Sequence, residues 1–232
     1  MPRENYQERL EELRADVVAM GDLVLDRYES ALRAVEAGDD ALADEVIGTD
    51  HVVNDRYLEL EEECTELLAL QQPVAGDLRL VTASFKIITD LERVADLATN
   101  IAEYGGEGGG VHPAVDFRRL GEAAGEMVSD AIAAYETADP EACREIDVRD
   151  DDLDERCRRA SEAVVRSLLE ADRARTAANE SSESDSEHLA DALDDVSRAL
   201  LAVRDVERVG DHGVNIAART LYMIESDDEL IY

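Results

Sequence analysis

The sequence predicts an all-α protein made of two pseudo-symmetric antiparallel three-helix bundles, six helices in all. Three observations predict it. The composition is that of long helices: Ala, Leu, Glu and Arg abound, while 232 residues hold four prolines, two Phe and no Trp. Apolar residues recur three and four apart, as in Leu10, Leu13, Val17, Met20 and Val24, and again in Val46, Val53, Tyr57, Leu60, Cys64 and Leu67. The chain also repeats itself. At an offset of 100, Asp39 pairs with Asp139, Glu45 with Glu145, Asp50 with Asp150, Arg56 with Arg156 and Leu68 with Leu168. At an offset of 115, residues 90–102 lie over 205–217 with eight of thirteen positions identical.

Breakers delimit each helix in turn. The first carries the stripe from Leu10 to Val24 and stops at Gly38, after which Asp39 caps the second. The second carries the stripe from Val46 to Leu67 and ends in the turn from Gln71 through Pro73 to Gly76. The third runs from that turn to Gly105–Gly110, a flexible linker. The fourth follows the linker, and Asp139-Pro140 reads as an N-cap and first-turn proline opening the fifth. A solvated loop from Ala177 to Glu187, rich in serine, separates the fifth from the sixth, and its extra length accounts for the larger offset. The expected organisation is a first repeat over residues 1–104, a linker over 105–112 and a second repeat over 113–232.

Charge narrows the function. The chain carries 57 acidic and 23 basic residues, a formal net charge of −34, and its one lysine is Lys86. A nucleic-acid interface needs basic patches, so no nucleic-acid partner is expected. An apolar fraction of 45% is too high for a disordered acidic tail. No apolar run is long enough for a membrane span, and the start of the chain lacks the features of a signal peptide, so a cytoplasmic protein without membrane insertion is expected. Cys64, Cys143 and Cys157 form no Cys-x-x-Cys and read as reduced core residues.

The repeated segment carries the chemistry. On the third helix, Leu91, Val94, Ala95, Ala98 and Ile101 share one face, the expected core face. Glu92, Asp96 and Asn100 stack at a spacing of four on a separate stripe, and Glu207, Asp211 and Asn215 do the same in the second half. Gly210 and Gly213 lie core-side and permit close helix approach. A second row supports the first. Asp50 and Asn54 are four apart, as are Asp150 and Asp154. In a hairpin turning at Pro73, Asp50 is level with Asp96 and Asn54 with Glu92; the same register places Asp150 by Asp211 and Asp154 by Glu207. Asp50 also continues the apolar stripe of Val46, Val53 and Tyr57, an odd place for an unpaired charge. Carboxylates four apart repel, and a bound cation reverses that sign. Rows of oxygen ligands suit hard ions such as magnesium, calcium, manganese or iron. A solvated helix face paired with Arg93 and Arg208 fits the same residues, and chemistry alone leaves both readings open.

Other motifs carry less. His212 follows Asp211 and offers a nitrogen ligand, although it points away from the stripe; His51, His112 and His188 read as surface residues. The glycine run is no phosphate loop, because no Gly-Lys-Ser/Thr follows. Ser-His-Asp and Cys-His signatures are missing, as is the Glu-x-x-His of di-iron enzymes, so no catalytic residue is expected.

On these motifs the chain resembles the PhoU family of phosphate-uptake regulators. The likeness spans essentially the whole chain. It rests on the double three-helix repeat, on Gln72-Pro73-Val74-Ala75-Gly76-Asp77-Leu78-Arg79, and on Asp90-Leu91-Glu92-Arg93-Val94-Ala95-Asp96 with its echo Asp205-Val206-Glu207-Arg208-Val209-Gly210-Asp211. The resemblance implies multinuclear clusters of divalent or trivalent metal (iron, manganese, magnesium, calcium or zinc) on Glu92 with Asp96 and Glu207 with Asp211, joined by Asp50 with Asn54 and Asp150 with Asp154. Asn54 departs from the acidic pattern, so the first site is expected to hold fewer ions or to bind them more weakly. It also implies a non-enzymatic homodimer that restrains phosphate import through the ATPase subunit of the phosphate-specific ABC transporter, sits peripherally at the membrane through it, and links it to a phosphate-sensing histidine kinase. Two other readings compete: a helical scaffold with no specific metal, and a metal-dependent phosphohydrolase using the same carboxylates.

An acid-rich, lysine-poor surface suits molar salt, where ions screen self-repulsion, and a halophilic source is the expectation. Helicity by circular dichroism should fall on dialysis from molar salt into salt-free buffer; an unchanged spectrum would refute this.

Overall fold

A computed structural model describes residues 3–70, 74–105, 111–178 and 184–231. Among them are seven helices and no strand: α1 Arg3–Ala37, α2 Asp40–Gly48, α3 Asp50–Leu70, α4 Ala75–Glu103, α5 Phe117–Thr137, α6 Pro140–Ala178 and α7 Ser184–Glu225. The expected second helix is one rod broken at Thr49 into α2 and α3, which makes the six rods seven helices. At the break, Thr49 Oγ1 turns back to the Glu45 carbonyl at 2.7 Å beside the Thr49 amide, which bonds the same carbonyl at 3.1 Å. α6 crosses the matching position, Arg149, unbroken.

Helix ends follow their expected chemistry. Gly38 takes φ 62°, and the Gly38 and Asp39 amides return to the Val35 and Ala34 carbonyls, a Schellman stop for α1. Ala138 adopts the same left-handed turn at φ 53° after α5, with the Asp139 amide on the Ala134 carbonyl. The Asp39 carboxylate caps α2 through Leu42 N, and Asp139 caps α6 through Glu141 N and Ala142 N. The long loop of residues 177–187 is shorter than expected, since α6 reaches Ala178 and α7 starts at Ser184. Its remainder, 179–183, lies outside the described residues, as do 71–73 of the first turn and 106–110 of the linker.

α1, α2, α3 and α4 pack together, as do α5, α6 and α7, and α1 with α4 meets α5 with α7 across the middle. One continuous core runs through both halves, and Leu13, Val17, Met20, Leu60, Leu67, Leu91 and Ile101 are shut off from solvent in it. Each such aliphatic side chain contributes about 1.5–3 kcal/mol. The three cysteines are free and buried in the same core, and burial pushes their thiols up, which leaves them unreactive. A separate cluster of Val164, Val196 and Ala199 sits along the distal part of the α6–α7 hairpin. No described helix is long and apolar enough to cross a membrane.

The contact between halves shows the internal two-fold. A Cβ on Gly21 would meet Ile132 Cγ1 at 3.0 Å, and one on Gly121 would meet Leu32 Cδ2 at 2.4 Å. Gly21 and Gly121 are related by the offset of 100, as are Leu32 and Ile132, so each α1 or α5 glycine receives the other's aliphatic side chain. Polar ties cross the same boundary: Tyr28 Oη to the Gly121 carbonyl at 3.0 Å, and Ser84 Oγ with Tyr135 Oη at 2.7 Å.

α7 needs glycine where it crosses α5. A Cβ on Gly213 would lie 3.2 Å from Met127 C and Val128 N, backbone atoms that cannot swing aside. Gly213→Val should cost about 2 kcal/mol through overpacking, read as a lowered melting temperature. Gly48, with nothing near its missing Cβ, is the control: Gly48→Ala should be neutral or stabilise by about 0.5 kcal/mol.

Candidate metal centre

The second half brings its acidic residues together. α6 supplies Asp150 and Asp154 and α7 supplies Asp211, and one carboxylate oxygen from each lies within 4.8 Å of the others. The level pairing of α6 with α7 accounts for this. Gly210 contributes by its missing side chain: a Cβ there would meet Leu153 Cδ2 at 2.4 Å and Asp150 Oδ1 at 3.5 Å, so the Asp150 carboxylate settles against bare helix backbone. Asp150 Oδ1 is shut off from solvent and has no hydrogen-bond partner. A buried acceptor left this way costs about 1–3 kcal/mol unless a proton or a cation satisfies it.

The electrostatics point the same way. Burial, then Asp154, Asp211, Asp147 and Asp151, pushes the Asp150 carboxyl up to about 7. Glu207 and Asp211 are also raised, by burial first and by Asp154 next, while Arg204 opposes the rise at Glu207, and His212 and Arg208 oppose it at Asp211. Glu207 is therefore within electrostatic reach of the cluster without joining its three-carboxylate core. Asn215 is half-buried one turn farther along α7. A divalent ion among these oxygens would relieve the mutual repulsion and satisfy the orphaned oxygen, so this donor set fits a hard cation.

The first half is built differently. Asp50 Oδ1 accepts from Arg27 Nη2 at 3.4 Å and from Thr99 Oγ1 at 3.2 Å, and Asp50 Oδ2 accepts from Asn54 Nδ2 at 2.9 Å. The charge on the apolar stripe is thus paired. Asn54 spends its amide on Asp50, and Asn100 donates to Asp205 Oδ2 at 3.4 Å, across the boundary between halves. Glu92 and Asp96 are raised by burial and next by Asp96 and Asp50 respectively, with Arg93 opposing at Glu92 and Arg208 at Asp96. Asp50, Asp96, Thr99 and Asn100 line a cavity of about 230 Å³ together with Arg93 and Arg208.

The histidines take different places. His212 turns away from the acidic stripe as its helical position predicts: it is buried, and its Nδ1 meets Asp90 Oδ1 of the other half at 2.9 Å. The repeat supplies the echo, since Asp205, the counterpart of Asp90, is also buried and accepts from Tyr104 Oη at 2.9 Å. His51 is exposed as expected, but His112 is half-buried and shares a hydrogen bond with Ser167. The side chain of His188 lies outside the described residues. Sequence reasoning passed over Arg27, although a lone arginine beside Val24, Tyr28 and Ala31 on a buried stripe was the visible signal.

Comparison with known proteins agrees with this architecture. A family model described as the PhoU domain matches residues 17–105 and again 117–220. The phosphate-specific transport system accessory protein PhoU homolog of Pseudomonas putida is 30% identical over 229 residues, 97% of this chain and 82% of that protein. PhoU homolog 1 of Methanothermobacter thermautotrophicus is 30% identical over 227 residues, 96% of this chain and 95% of its own length. The crystal structure of PhoU from Pseudomonas aeruginosa superposes with a TM-score of 0.82 at 29% identity, covering 96% of this chain and all of that one.

Asp150 gives a pH test. Its folded-state pKa of about 7 lies above the ordinary carboxylate value near 4 that the unfolded chain has. The folded state therefore holds the extra proton between those values, and metal-free stability contributed by this group falls as pH rises from about 4 to about 7. Asp150→Asn should stabilise the chelator-treated protein at pH 8, on the order of 1 kcal/mol after allowing for solvent screening. The gain should vanish toward pH 4 in thermal melts.

Proposed function

The chain belongs to the PhoU family, and from that premise we propose that it is an accessory regulator of a phosphate-specific transport system, acting as a metal-binding adaptor that restrains phosphate uptake. The observation that carries the reading is the match to PhoU accessory proteins over both repeats and nearly the full chain. The construction supports binding over turnover. The acidic clusters lie on outer faces of helix hairpins, with Asp96, Asp154 and Asp211 exposed, where a partner surface reaches them directly.

In this reading the ATPase subunit of the transporter docks on the helical surface, and phosphate status shifts the population of the docked form. A cation on Asp150, Asp154 and Asp211 would neutralise local repulsion and fix the α6–α7 face that the partner meets. A second copy of the chain and a phosphate-sensing histidine kinase complete the proposed partners. Such a protein works at the inner side of the membrane through its partner, with no spanning helix of its own among those described.

Capture from native-salt lysate at high and low phosphate tests it. The tagged chain should retain the transporter ATPase subunit, more at high phosphate, and Glu92→Ala/Asp96→Ala/Glu207→Ala/Asp211→Ala should retain less while keeping its helicity. Absence of the ATPase at both phosphate levels would overturn the proposal.

A further inference from the structure

The two halves repeat the same acidic hairpin, yet they satisfy it by opposite means. Arg27 projects from α1 into the first hairpin and is 7% exposed. Its Nη1 donates to Thr49 Oγ1 at 2.6 Å, and its Nη2 reaches the Val46 carbonyl at 2.8 Å, Thr99 Oγ1 at 3.3 Å and Asp50 Oδ1 at 3.4 Å. The guanidinium thus does two jobs. It pairs the Asp50 carboxylate, and it caps the carbonyl freed where the rod breaks at Thr49. A guanidinium stays protonated and offers five N–H donors in a fixed fork, which suits it to holding several oxygens at once.

The internal repeat shows what stands in its place in the second half. Position 127 is a buried methionine, position 214 is valine where the first half has Thr99, and position 154 is aspartate where the first half has Asn54. All three donors to the first-half aspartate are therefore replaced by groups that donate nothing. The rod no longer breaks, and the counterpart carboxylate, Asp150, keeps an oxygen that is buried and unpartnered. Arg204, Arg208 and His212 stand near this second cluster on α7, but Arg208 pairs with Asp205 at 3.2 Å and His212 with Asp90.

We propose that the two sites are not equivalent: Arg27 neutralises Asp50 of the first as a permanent internal cation, and the chain takes up divalent metal at the second alone. This rests on the metal reading of the second site given above and departs from the two-site expectation that the resemblance implied. Metal content is then set by which half carries an arginine at the Arg27 position of its first helix. Arg27→Met, which copies Met127, should open the first site.

Manganese(II), followed through the loss of its free-ion paramagnetic resonance signal, tests this on chelator-treated full chain in molar salt. Wild type should bind manganese, and Asp150→Asn/Asp154→Asn should bind none. In that doubly substituted background Arg27→Met, or Arg27→Gln should the methionine variant fail to fold, should restore binding, and adding Asp50→Asn should abolish it again. Manganese should also raise the melting temperature of the Arg27 variants. Manganese retained by Asp150→Asn/Asp154→Asn would place metal at the first site and overturn the proposal. Folded Arg27 variants that restore no binding would overturn it as well. Wild type binding none while the Arg27 variants bind would refute the second site and uphold the role of Arg27; no binding by any chain would refute both.

Discussion

Carboxylates held level on neighbouring helices must meet positive charge, and this requirement organises the molecule's two outer faces. Packing sets the register. Once Leu91, Val94, Ala98 and Ile101 are buried, Glu92 and Asp96 have no freedom to leave the level of Asp50. Burial of the second-half stripe, with Val203, Val206 and Val209, fixes Glu207 and Asp211 beside Asp154 in the same way. Hydrophobic burial supplies the energy that holds like charges together, so the acidic faces draw on the stability of the core. One face is answered from within by Arg27; on the other, Asp150 keeps a buried oxygen with no partner.

Much of this was legible in the sequence. The periodicity that put Leu10, Leu13, Val17, Met20 and Val24 on one face identified buried residues correctly, because a helix without breakers has one way to expose its polar side. Caps at Asp39 and Asp139 were legible because an acid ahead of an apolar run has a local partner, the amide two or three residues on. The site was legible in its rows and less so in its partners. Spacing along a helix says which side chains share a stripe; it does not say what projects from a third helix. Arg27, 23 positions before Asp50, and the pairing of His212 with Asp90 across the halves are contacts of that kind. The break at Thr49 was hidden for the same reason, since its freed Val46 carbonyl is satisfied by Arg27 from α1.

The repeat is therefore two things at once. In the core and at the α1–α5 contact it is close to symmetric, with Gly21 and Gly121 receiving Ile132 and Leu32 in turn. In its polar chemistry the symmetry is partial. Asp90 and Asp205 are both buried at the boundary between halves, but one meets a histidine and the other a tyrosine and an asparagine. A shared apolar frame has allowed the polar positions to diverge, because changing a hydrogen-bond partner leaves the helix packing in place.

The distal part of the α6–α7 hairpin stands apart in another respect. α6 and α7 run 39 and 42 residues, and where the first-half counterparts Cys64 and Val81 join the main core, Val164, Val196 and Ala199 form a small apolar cluster of their own. A few buried side chains joined to the main core only through partly buried neighbours such as Val111 and Val115 are expected to open at lower free energy than the rest. The molecule is thus expected to have two melting scales: amide protons near Val164 and Val196 should exchange through local opening and those near Leu91 and Val206 on global unfolding, which would let the outer hairpin reshape against a neighbour while the acidic faces below it hold.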